Sequence, residues 1–488
     1  MSNTNTAKED KVPFGEKLAL GVGSLTSFFG LDAISRMAYP VYNMLLHVDS
    51  ALIGIALMIP RLWDAITDPL MGRISDNHQS RFGRRRPFII GGAVAMGTLF
   101  TFVWTAPEGF SDVMKMAYFV VMQILFFTAY TVFVVPYNAL SYELTPDYNE
   151  RTRIMSYTGF FWKVGEFLSG WVLPIAAPLG MIIIGAKAVE DGKPVLTMPG
   201  IILAAALIGI IIMGICGIMP GLKVKERFRR QAKIKEKVKV VSGFKDAFSS
   251  QSFNILIAIV FLNTLAGLLA SGIDQFLLVY YMNDGDKVAG LAQKAMLTTG
   301  YAFVGFAFIP IITWLGTHFG KKGALYVVYV MMLVGSIAKW WIFTPGHSIY
   351  TMAGVPIDPV LMIDPLMCGP MWVAVKIMLA SMMADICDED ELKHGHRREG
   401  MFGAVFSWTE KLVASVAVAS SGFVLAFAGF DPVLEGNQSS ETITIIRLFL
   451  AGGPATAALM AIVALVFYPI TAERAKETRR VLDARRGT

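Results

Sequence analysis

The sequence predicts an all-α membrane protein with twelve transmembrane helices in two six-helix pseudo-repeat halves. Hydrophobic residues make up 55% of its 488 residues and charged residues 16%, whereas a soluble domain carries about 25% charge. Apolar runs of about 20 residues, long enough to cross the hydrocarbon core of a bilayer, recur along the chain. A soluble core of this composition would expose large apolar patches, which excludes that class.

Polar loops and one long basic stretch separate the apolar runs. The predicted spans cover residues 18–47, 51–73, 87–107, 113–143, 154–182, 198–220, 254–282, 295–317, 324–344, 357–387, 401–429 and 443–470. The predicted regions are a cytoplasmic N-terminal tail (1–17), an N-terminal bundle (18–220), a basic cytoplasmic linker (221–253), a C-terminal bundle (254–470) and a cytoplasmic C-terminal tail (471–488).

Basic residues are concentrated in alternate loops. The sequences RFGRRR and HFGKKG follow the second and eighth spans, and the linker and the C-terminal tail are also basic. The opposite loops, such as APEGFSD, are poor in Lys and Arg. Because cytoplasmic loops carry the excess of basic residues, this asymmetry places both termini in the cytoplasm. It also accounts for the net charge of +6 without a nucleic-acid partner.

The two basic loops also suggest an internal repeat. RISDNHQSRFGRRRP and WLGTHFGKKG both place a glycine and basic residues at a cytoplasmic helix end, six predicted spans apart. Such parallel halves are typical of transporters whose substrate site lies near the bilayer midplane. The alternative is that any cytoplasmic loop of a membrane protein looks like this.

The second span carries two carboxylates. Asp64 and Asp68 stand at positions i and i+4, on one helix face, with Arg61 one turn earlier and Thr67 nearby. Two carboxylates this close in a low dielectric repel each other unless a cation or proton lies between them. The pattern therefore indicates a cation site. The alternative is an Arg–Asp pair that holds helices together.

Other predicted spans also contain charges, which are expensive in hydrocarbon and so are candidates for function. Spans one and five carry the pairs Asp32–Arg36 and Lys163–Glu166, which are either substrate ligands or self-neutralising pairs. In span eleven, Glu410 and Lys411 are adjacent, so they point to different faces and need separate partners. The remaining charges are Lys339, which we expect to snorkel beside Trp340 and Trp341, and the ambiguous Asp364, Lys376 and Arg447.

Four linked motifs resemble one known family. RLWDAITDPLMGRISD with SRFGRRRP, YTVFVVPYNALSYELTPDYNERTR, and MMADICDEDELKHGHRREGMFGAVFSWTEKL resemble the glycoside-pentoside-hexuronide:cation symporters of the major facilitator superfamily. The length and the twelve-span layout match as well. The resemblance implies symport of a sugar or sugar acid with Na⁺ or H⁺ by alternating access.

The resemblance assigns roles to individual residues. Asp64 and Asp68 match the two carboxylates that bind the coupling cation, and Thr131 matches a hydroxyl ligand, so these three would hold Na⁺ in a sodium-coupled carrier. Thr67 stands where sodium-using members have Asn, which leaves the ion open. Lys411 matches a lysine near both the cation and the sugar. The remaining assignments are Trp408 and Asn138 to substrate binding, and Arg61, Asp76, Arg84, Arg85 and Glu410 to structural or gating roles.

The sugar-binding positions depart from the melibiose carriers in this family. The expected charged residues are replaced by Phe28, Val134 and Gly159. We therefore expect a sugar other than melibiose. An anionic sugar facing Arg36 and Lys163 is one interpretation. A neutral sugar is the other, because Asp32 and Glu166 can neutralise these cations.

We expect a monomeric, multi-pass protein of the inner cell membrane with no cofactor besides its coupling ion. The partners expected are a small sugar, the cation and the lipid bilayer. The sequence shows no nucleophile or metal motif of an enzyme, and its three cysteines lack metal-ligand spacing. Two other functions stay open: transport of another small polar or anionic solute, and uniport or channel-like passage without ion coupling.

Overall fold

The structure is a computed structural model. It describes residues 11–107, 109–145, 148–190, 192–226, 247–348, 350–352, 355–394 and 399–486. Most of the predicted basic linker, including residues 227–246, lies outside the described residues. The chain divides into two compact units, Met1–Lys235 and Glu236–Thr488.

The N-terminal unit consists of helices and one short hairpin. Its helices are α1 (Phe14–Ala38), α2 (Ser50–Asn77), α3 (Arg86–Phe102), α4 (Asp112–Glu143), α5 (Tyr148–Gly170), α6 (Val172–Ile184), α7 (Met198–Leu207) and α8 (Cys216–Lys223). Two π-helical segments, Tyr39–Leu45 and Ile208–Ile215, continue α1 and join α7 to α8. The hairpin pairs β1 (Val189–Glu190) with β2 (Lys193–Pro194) after a 3₁₀ turn at Gly185–Ala188.

The C-terminal unit has the same character. Its helices are α9 (Gln251–Phe276), α10 (Lys287–His318), α11 (Gly320–Ile342), α12 (Ile363–His394), α13 (Glu399–Phe427), α14 (Ser440–Val466) and α15 (Ala472–Arg486). A π-helical segment, Leu277–Tyr281, extends α9. β3 (Tyr350–Met352) pairs with β4 (Val355–Ile357), and a 3₁₀ segment covers Pro432–Asn437.

Helices long and apolar enough to cross a membrane dominate both units. Within the described ranges, ten continuous helices pass this test, and an eleventh is the pair Arg153–Gly170 and Val172–Ala188, bent by 53°. The helix predicted at 87–107 is α3, an apolar helix of 17 residues. The protein is therefore a multi-pass, all-α membrane protein, and the count of twelve spans stays a prediction.

Most helix boundaries differ from the predicted ones, and four differences are the clearest. α10 begins at Lys287 rather than 295, because the Asp286 side chain accepts the Ala289 N–H and caps the helix. α12 begins at Ile363 rather than 357, because residues 355–357 form strand β4. The fifth span breaks after Gly170, and the predicted C-terminal tail contains α15.

Small residues allow close helix packing in the N-terminal unit. A Cβ atom on Gly97 of α3 would lie 2.3 Å from the Gly209 carbonyl oxygen, so these two backbones meet where only glycine fits. A Cβ atom on Gly165 of α5 would lie 3.0 Å from Phe28 of α1. Ser24 Oγ also donates to the Thr158 carbonyl, which holds α1 against α5.

The two units repeat the same ending of their first helix. α1 and α9 each pass into a π-helical segment. The sequence Val-Tyr-X-Met lies within the first of these segments and begins within the second. Each segment is followed by a residue of positive φ, His47 (55°) or Asp284 (49°). An aspartate, Asp49 or Asp286, then caps the next helix. This shared ending supports two parallel halves.

The predicted loop repeat has a structural counterpart as well. Gly83 and Gly320, the glycines of the two basic loops, adopt φ values of 107° and 71°. In this left-handed region glycine has no Cβ penalty. Both basic loops therefore use a glycine in the left-handed region, although eight residues separate α2 from α3 and one residue separates α10 from α11.

Candidate functional site

Three of the residues predicted to bind the cation, Thr67, Asp68 and Thr131, meet between α2 and α4. Thr131 Oγ1 donates to Asp68 Oδ1 over 3.1 Å. The Thr67 and Thr131 hydroxyl oxygens lie 3.4 Å apart, and Thr67 also donates to the Trp63 carbonyl over 3.2 Å. Asp64 lies one turn earlier on α2 and is only 6% exposed. Two helices therefore bring carboxylate and hydroxyl oxygens together.

The Arg61 side chain forms hydrogen bonds to α1. Its Nη2 donates to the Leu31 carbonyl over 2.6 Å and to Ser35 Oγ over 3.2 Å. The guanidinium also lies 5.2 Å from the centre of the Phe127 ring. These contacts join α1, α2 and α4 beside Asp64, so Arg61 sets the position of the helix that carries the carboxylates.

The oxygen set on α2 and α4 fits a small hard cation or a proton. Hard cations prefer carboxylate, hydroxyl and carbonyl oxygens, and all three kinds occur around Thr67. Asp64, Asp68 and Thr131 are the residues that would hold Na⁺. A cation at this place would supply the positive charge that offsets two carboxylates in a low dielectric.

The predicted substrate residues of α1 and α5 form two ion pairs. Arg36 Nε donates to Asp32 Oδ2, and Lys163 Nζ lies 2.6 Å from Glu166 Oε2. All four side chains are between 20% and 29% exposed. Each basic side chain is therefore partly open to solvent and already faces an acid on its own helix.

Three further positions named in the sequence analysis lie on α1 and α4, namely Phe28, Val134 and Asn138. Phe28 packs edge-on against Trp162, with ring centres 5.2 Å apart. Asn138 is exposed on α4, about two turns beyond Thr131 and close to the same face. Val134 between them is buried. The structure thus places Asn138 near the line of Thr131, whereas Phe28 serves the packing of α1 against α5.

Three of the predicted gating residues, Asp76, Arg84 and Arg85, form an ion-pair junction with Glu143 after α2. Arg85, 3% exposed, donates to Asp76 Oδ1 over 2.9 Å and to the Glu143 carboxylate over 2.7 and 2.9 Å. Arg84 Nη2 lies 3.0 Å from the same Glu143. Burial alone would lower the pKa of Arg85, but the hydrogen bonds that it donates to Glu143 and Asp76 raise it. The guanidinium stays charged and links the ends of α2 and α4.

A further carboxylate, that of Glu226, binds the backbone of the loop between α2 and α3. The Glu226 carboxylate accepts the backbone N–H groups of Arg84, Arg85 and Arg86 over 2.9, 2.8 and 3.3 Å. It therefore caps the N-terminus of α3, where backbone donors and the helix dipole favour an anion. Arg86 in turn donates to the Gly221 and Leu222 carbonyls. No local pattern in the sequence predicts this link between the loop and the end of α8.

Glu410 and Lys411 of α13 point to different faces because they are adjacent, whereas Trp408 lies near Lys411 at the i,i+3 spacing. Trp408 is 43% exposed and shares an exposed apolar face with Leu412 and Val416. Glu410 is exposed on another face, close enough to Lys376 for electrostatic attraction. Lys411 is half-buried. The predicted cation site on α2, which the resemblance places near this lysine, belongs to the other unit, so that role stays a prediction.

The prediction for Lys339 was wrong. Instead of snorkelling, its side chain is 6% exposed and lies 2.8 Å from Asp364, which is 1% exposed. Tyr301 donates to the same carboxylate over 3.0 Å. The pairing partner belongs to α12, and no local pattern around Lys339 reveals it.

A second buried pair escaped the sequence analysis. Lys294 of α10 lies 2.5 Å from Asp274 of α9. The only available signal was a charged residue within each of two successive apolar runs.

Arg447, left ambiguous, lies 4.4 Å from the Trp340 ring centre and 5.4 Å from that of Tyr281. It therefore belongs to an aromatic cluster.

Known proteins resemble the chain over almost its whole length. An uncharacterized symporter of Synechocystis sp. is 27% identical and covers 98% of each chain. A putative glycoside/cation symporter, YagG of Escherichia coli, is 22% identical and covers 96% of this chain and 94% of its own. The sodium-dependent lysophosphatidylcholine symporter 1 of Mus musculus is 25% identical, covering 89% of this chain and 81% of its own.

Solved structures support the fold. The D-xylose-proton symporter superposes with a TM-score of 0.59 at 14% identity, covering 92% of this chain and 97% of its own. The profile of one family, described as MFS/sugar transport protein, matches residues 19–472. This match confirms the resemblance seen in the four sequence motifs. The chain belongs to the MFS/sugar transport protein family and is a major facilitator transporter, not an enzyme.

Proposed function

We propose that the protein is a secondary active symporter that couples uptake of a neutral sugar or glycoside to a monovalent cation by alternating access. The observation that carries the proposal is the contact of Asp68 with Thr131, beside Thr67 and one turn from Asp64. Ionisable groups inside a membrane protein mark ion pathways by default. The family description and the symporter names of three relatives agree with this reading.

Cation binding is the first step of the proposed cycle. The cation offsets the charges of Asp64 and Asp68, and draws α2 and α4 together through Thr131. Without it, the closed state between the outward-open and inward-open conformations would bury two unneutralised carboxylates, at a cost of several kcal/mol. The substrate then binds to the loaded protein, which favours the movement of both together.

The charge pairs of α1 and α5 favour a neutral substrate. Arg36 and Lys163 each face an acid within hydrogen-bonding distance, so the region adds no net positive charge for an anion. A sugar hydroxyl can donate to Asp32 or Glu166 and accept from Arg36 or Lys163, so such pairs suit a polyol. The glycoside named for YagG belongs to this class.

A lysophospholipid is the second candidate substrate, on the similarity to the mouse symporter. Its headgroup carries both a phosphate and a cationic amine. A zwitterion of this kind also matches side-by-side acid–base pairs. Its long acyl chain is the feature that separates it from a sugar in a transport assay.

The ion and the orientation are part of the proposal. The mouse symporter is named sodium-dependent, but Thr67 stands where the resembled sodium carriers have Asn. Both Na⁺ and H⁺ are therefore compared as coupling ions in the uptake assay below. The basic loops support an inner-membrane protein with both termini in the cytoplasm.

Uptake into proteoliposomes tests the proposal. Radiolabelled pentoses, glycosides, uronides and lysophosphatidylcholine are offered under an inward Na⁺ gradient, an inward H⁺ gradient, or neither. We expect one neutral sugar or glycoside to accumulate above its outside concentration under one of the two ion gradients. Equal uptake with and without gradients would contradict symport, and selective uptake of the lysolipid would contradict the sugar assignment.

A further inference from the structure

A lysine ammonium group occupies an oxygen-lined site in the C-terminal unit. Lys294 Nζ lies 2.6 and 2.5 Å from the two carboxylate oxygens of Asp274. It also lies 3.3 Å from the Ser271 carbonyl oxygen and 3.5 Å from Ser271 Oγ. One turn of α9 therefore supplies four oxygen atoms, and the cation that they surround is fixed to α10.

The donor set is the kind that binds small hard cations. A bidentate carboxylate, a backbone carbonyl and a hydroxyl are the oxygen ligands that such ions take in proteins. α9 passes into its π-helical segment at Leu277, directly after this turn. Local π-helical turns often accompany functional sites, because they change the direction of backbone carbonyls and side chains.

Burial and access both suit an ion site. The Asp274 side chain is 9% exposed and that of Lys294 is 16% exposed, so the charges are largely withdrawn from water. Ser271 is exposed, so its oxygen atoms lie at the edge of this largely buried group. The nearby Lys339–Asp364 pair acts on Asp274 but carries equal and opposite charges. Lys294 is thus the charge that balances Asp274.

We propose that Asp274 and Ser271 form a second monovalent-cation site, in which the Lys294 ammonium takes the place of a free ion. The site lies in the C-terminal unit and shares no residue with Asp64, Asp68 or Thr131. Because its cation is covalently tethered, the site binds no ion from solution in the native protein. Removing the ammonium exposes an ion site for Na⁺ or Li⁺.

The test removes the tethered cation in a protein that lacks the first site. In the Asp68→Asn background, Lys294→Met is purified and its thermal unfolding is followed in NaCl, LiCl and choline chloride at equal ionic strength. We expect an unfolding temperature several degrees higher in NaCl or LiCl than in choline chloride, because an ion that binds only the folded state stabilises it. Asp68→Asn alone should show no such difference.

Two matched variants separate an ion site from a packing ion pair. Lys294→Arg keeps a tethered cation, and Lys294→Met with Asp274→Asn removes the carboxylate, so neither should respond to Na⁺ or Li⁺. Should Lys294→Met fail to fold, Lys294→Gln takes its place, with ²²Na⁺ equilibrium dialysis expected to show one bound ion.

The proposal is overturned if the folded Lys294→Met or Lys294→Gln variant unfolds alike in all three salts and binds no ²²Na⁺. It is equally overturned if both single variants fail to fold whereas the double variant with Asp274→Asn folds, since the pair then serves packing alone. Neither result bears on the site of α2, which the background has removed.

Discussion

Thr131 of α4 donates a hydrogen bond to Asp68 of α2 over 3.1 Å, and this contact joins the two helices beside the predicted cation site. The donor and acceptor lie 63 residues apart in the chain. A cation that binds Asp68 therefore also acts on the packing of α4 against α2. The contact gives a physical route from ion binding to helix position, which symport requires.

Asp68→Asn should abolish gradient-driven accumulation of substrate. The amide keeps the shape of the side chain but removes half of the charge that holds the ion. Exchange of labelled for unlabelled substrate across the membrane should survive, because it needs no net movement of the cation. Asp112→Asn, a change in an exposed Asp–Lys pair at the start of α4, is the matched control and should accumulate normally. Full accumulation by Asp68→Asn would remove this residue from the site.

Thr131→Val should weaken the cation dependence of transport without abolishing it. Valine has nearly the shape of threonine but provides no oxygen ligand and no hydrogen bond to Asp68. A hydrogen bond to a charged group is worth about 1.5–3 kcal/mol, so the half-saturating cation concentration should rise about tenfold or more. Thr131→Ser keeps the hydroxyl and should stay close to the native value. Equal values for valine and serine would show that the hydroxyl has no part in ion binding.

Asp32→Asn should change substrate selectivity toward anions. The substitution leaves Arg36 without the acid that it pairs with on α1. Uronides and sulfo-sugars should compete poorly with the neutral substrate for uptake by the native protein. In the Asp32→Asn variant they should inhibit uptake of that substrate. Arg36→Gln is the matched reverse change and should not produce this gain. If uronides already outcompete neutral sugars in the native protein, the neutral-substrate assignment is wrong.

Glu150 should stabilise the protein at neutral pH and lose its effect in acid. It is 2% exposed, lies 2.7 Å from Lys17 Nζ and accepts the Val12 N–H, just before the membrane-spanning stretch. Burial would raise the pKa of Glu150, but Lys17 and the Val12 N–H lower it below its usual 4.5. A carboxyl with a lowered pKa stabilises the folded state above about pH 4.5, and this contribution is lost as the pH falls further.

Thermal unfolding of Glu150→Gln against the native protein checks this. The native protein should be more stable from pH 8 to about pH 5, and the difference should shrink below about pH 4.5. Glu473→Gln, at an exposed position of α15, should show no such pH dependence. A constant difference at every pH would mean that the carboxylate charge contributes nothing.

Cysteine labelling in intact cells tests the orientation. In a protein without its three native cysteines, Val113→Cys at the exposed start of α4 should react with an impermeant reagent from outside. Arg479→Cys on the exposed side of α15 should react only after the cells are opened. The reverse pattern would overturn the placement of both termini in the cytoplasm.

Local sequence patterns were sufficient to predict the membrane-spanning helices, because these depend on neighbours within one helix. The same patterns place Asp64 and Asp68 on one helix face, whereas their assignment to a cation site stays a prediction. Asp64 and Asp68 share a face at any packing arrangement, as do Arg36 and Asp32. Pairs of residues on different helices could not be predicted from such local patterns. Lys339 looked like a snorkelling residue because its neighbours are Trp340 and Trp341, whereas its partner lies on the next helix.

The cap of α3 and the site around Lys294 illustrate the same limit. Glu226 follows α8 in the chain, yet it binds backbone N–H groups about 140 residues earlier. Asp274 and Lys294 each appear alone in an apolar run, and only the packing of α9 against α10 joins them. Helix ends were displaced where a cap or strand decided them, as at Asp286 and residues 355–357.

Substrate affinity with and without the coupling cation tests the central claim most directly. Binding of the transported sugar to purified protein is measured by calorimetry in Na⁺, in choline, and across pH. If the site of Asp64 and Asp68 couples the two ligands, the cation should tighten sugar binding at least fivefold in the native protein. The same comparison should show no tightening in Asp68→Asn. An equal dissociation constant for the native protein in every ionic condition would contradict the account.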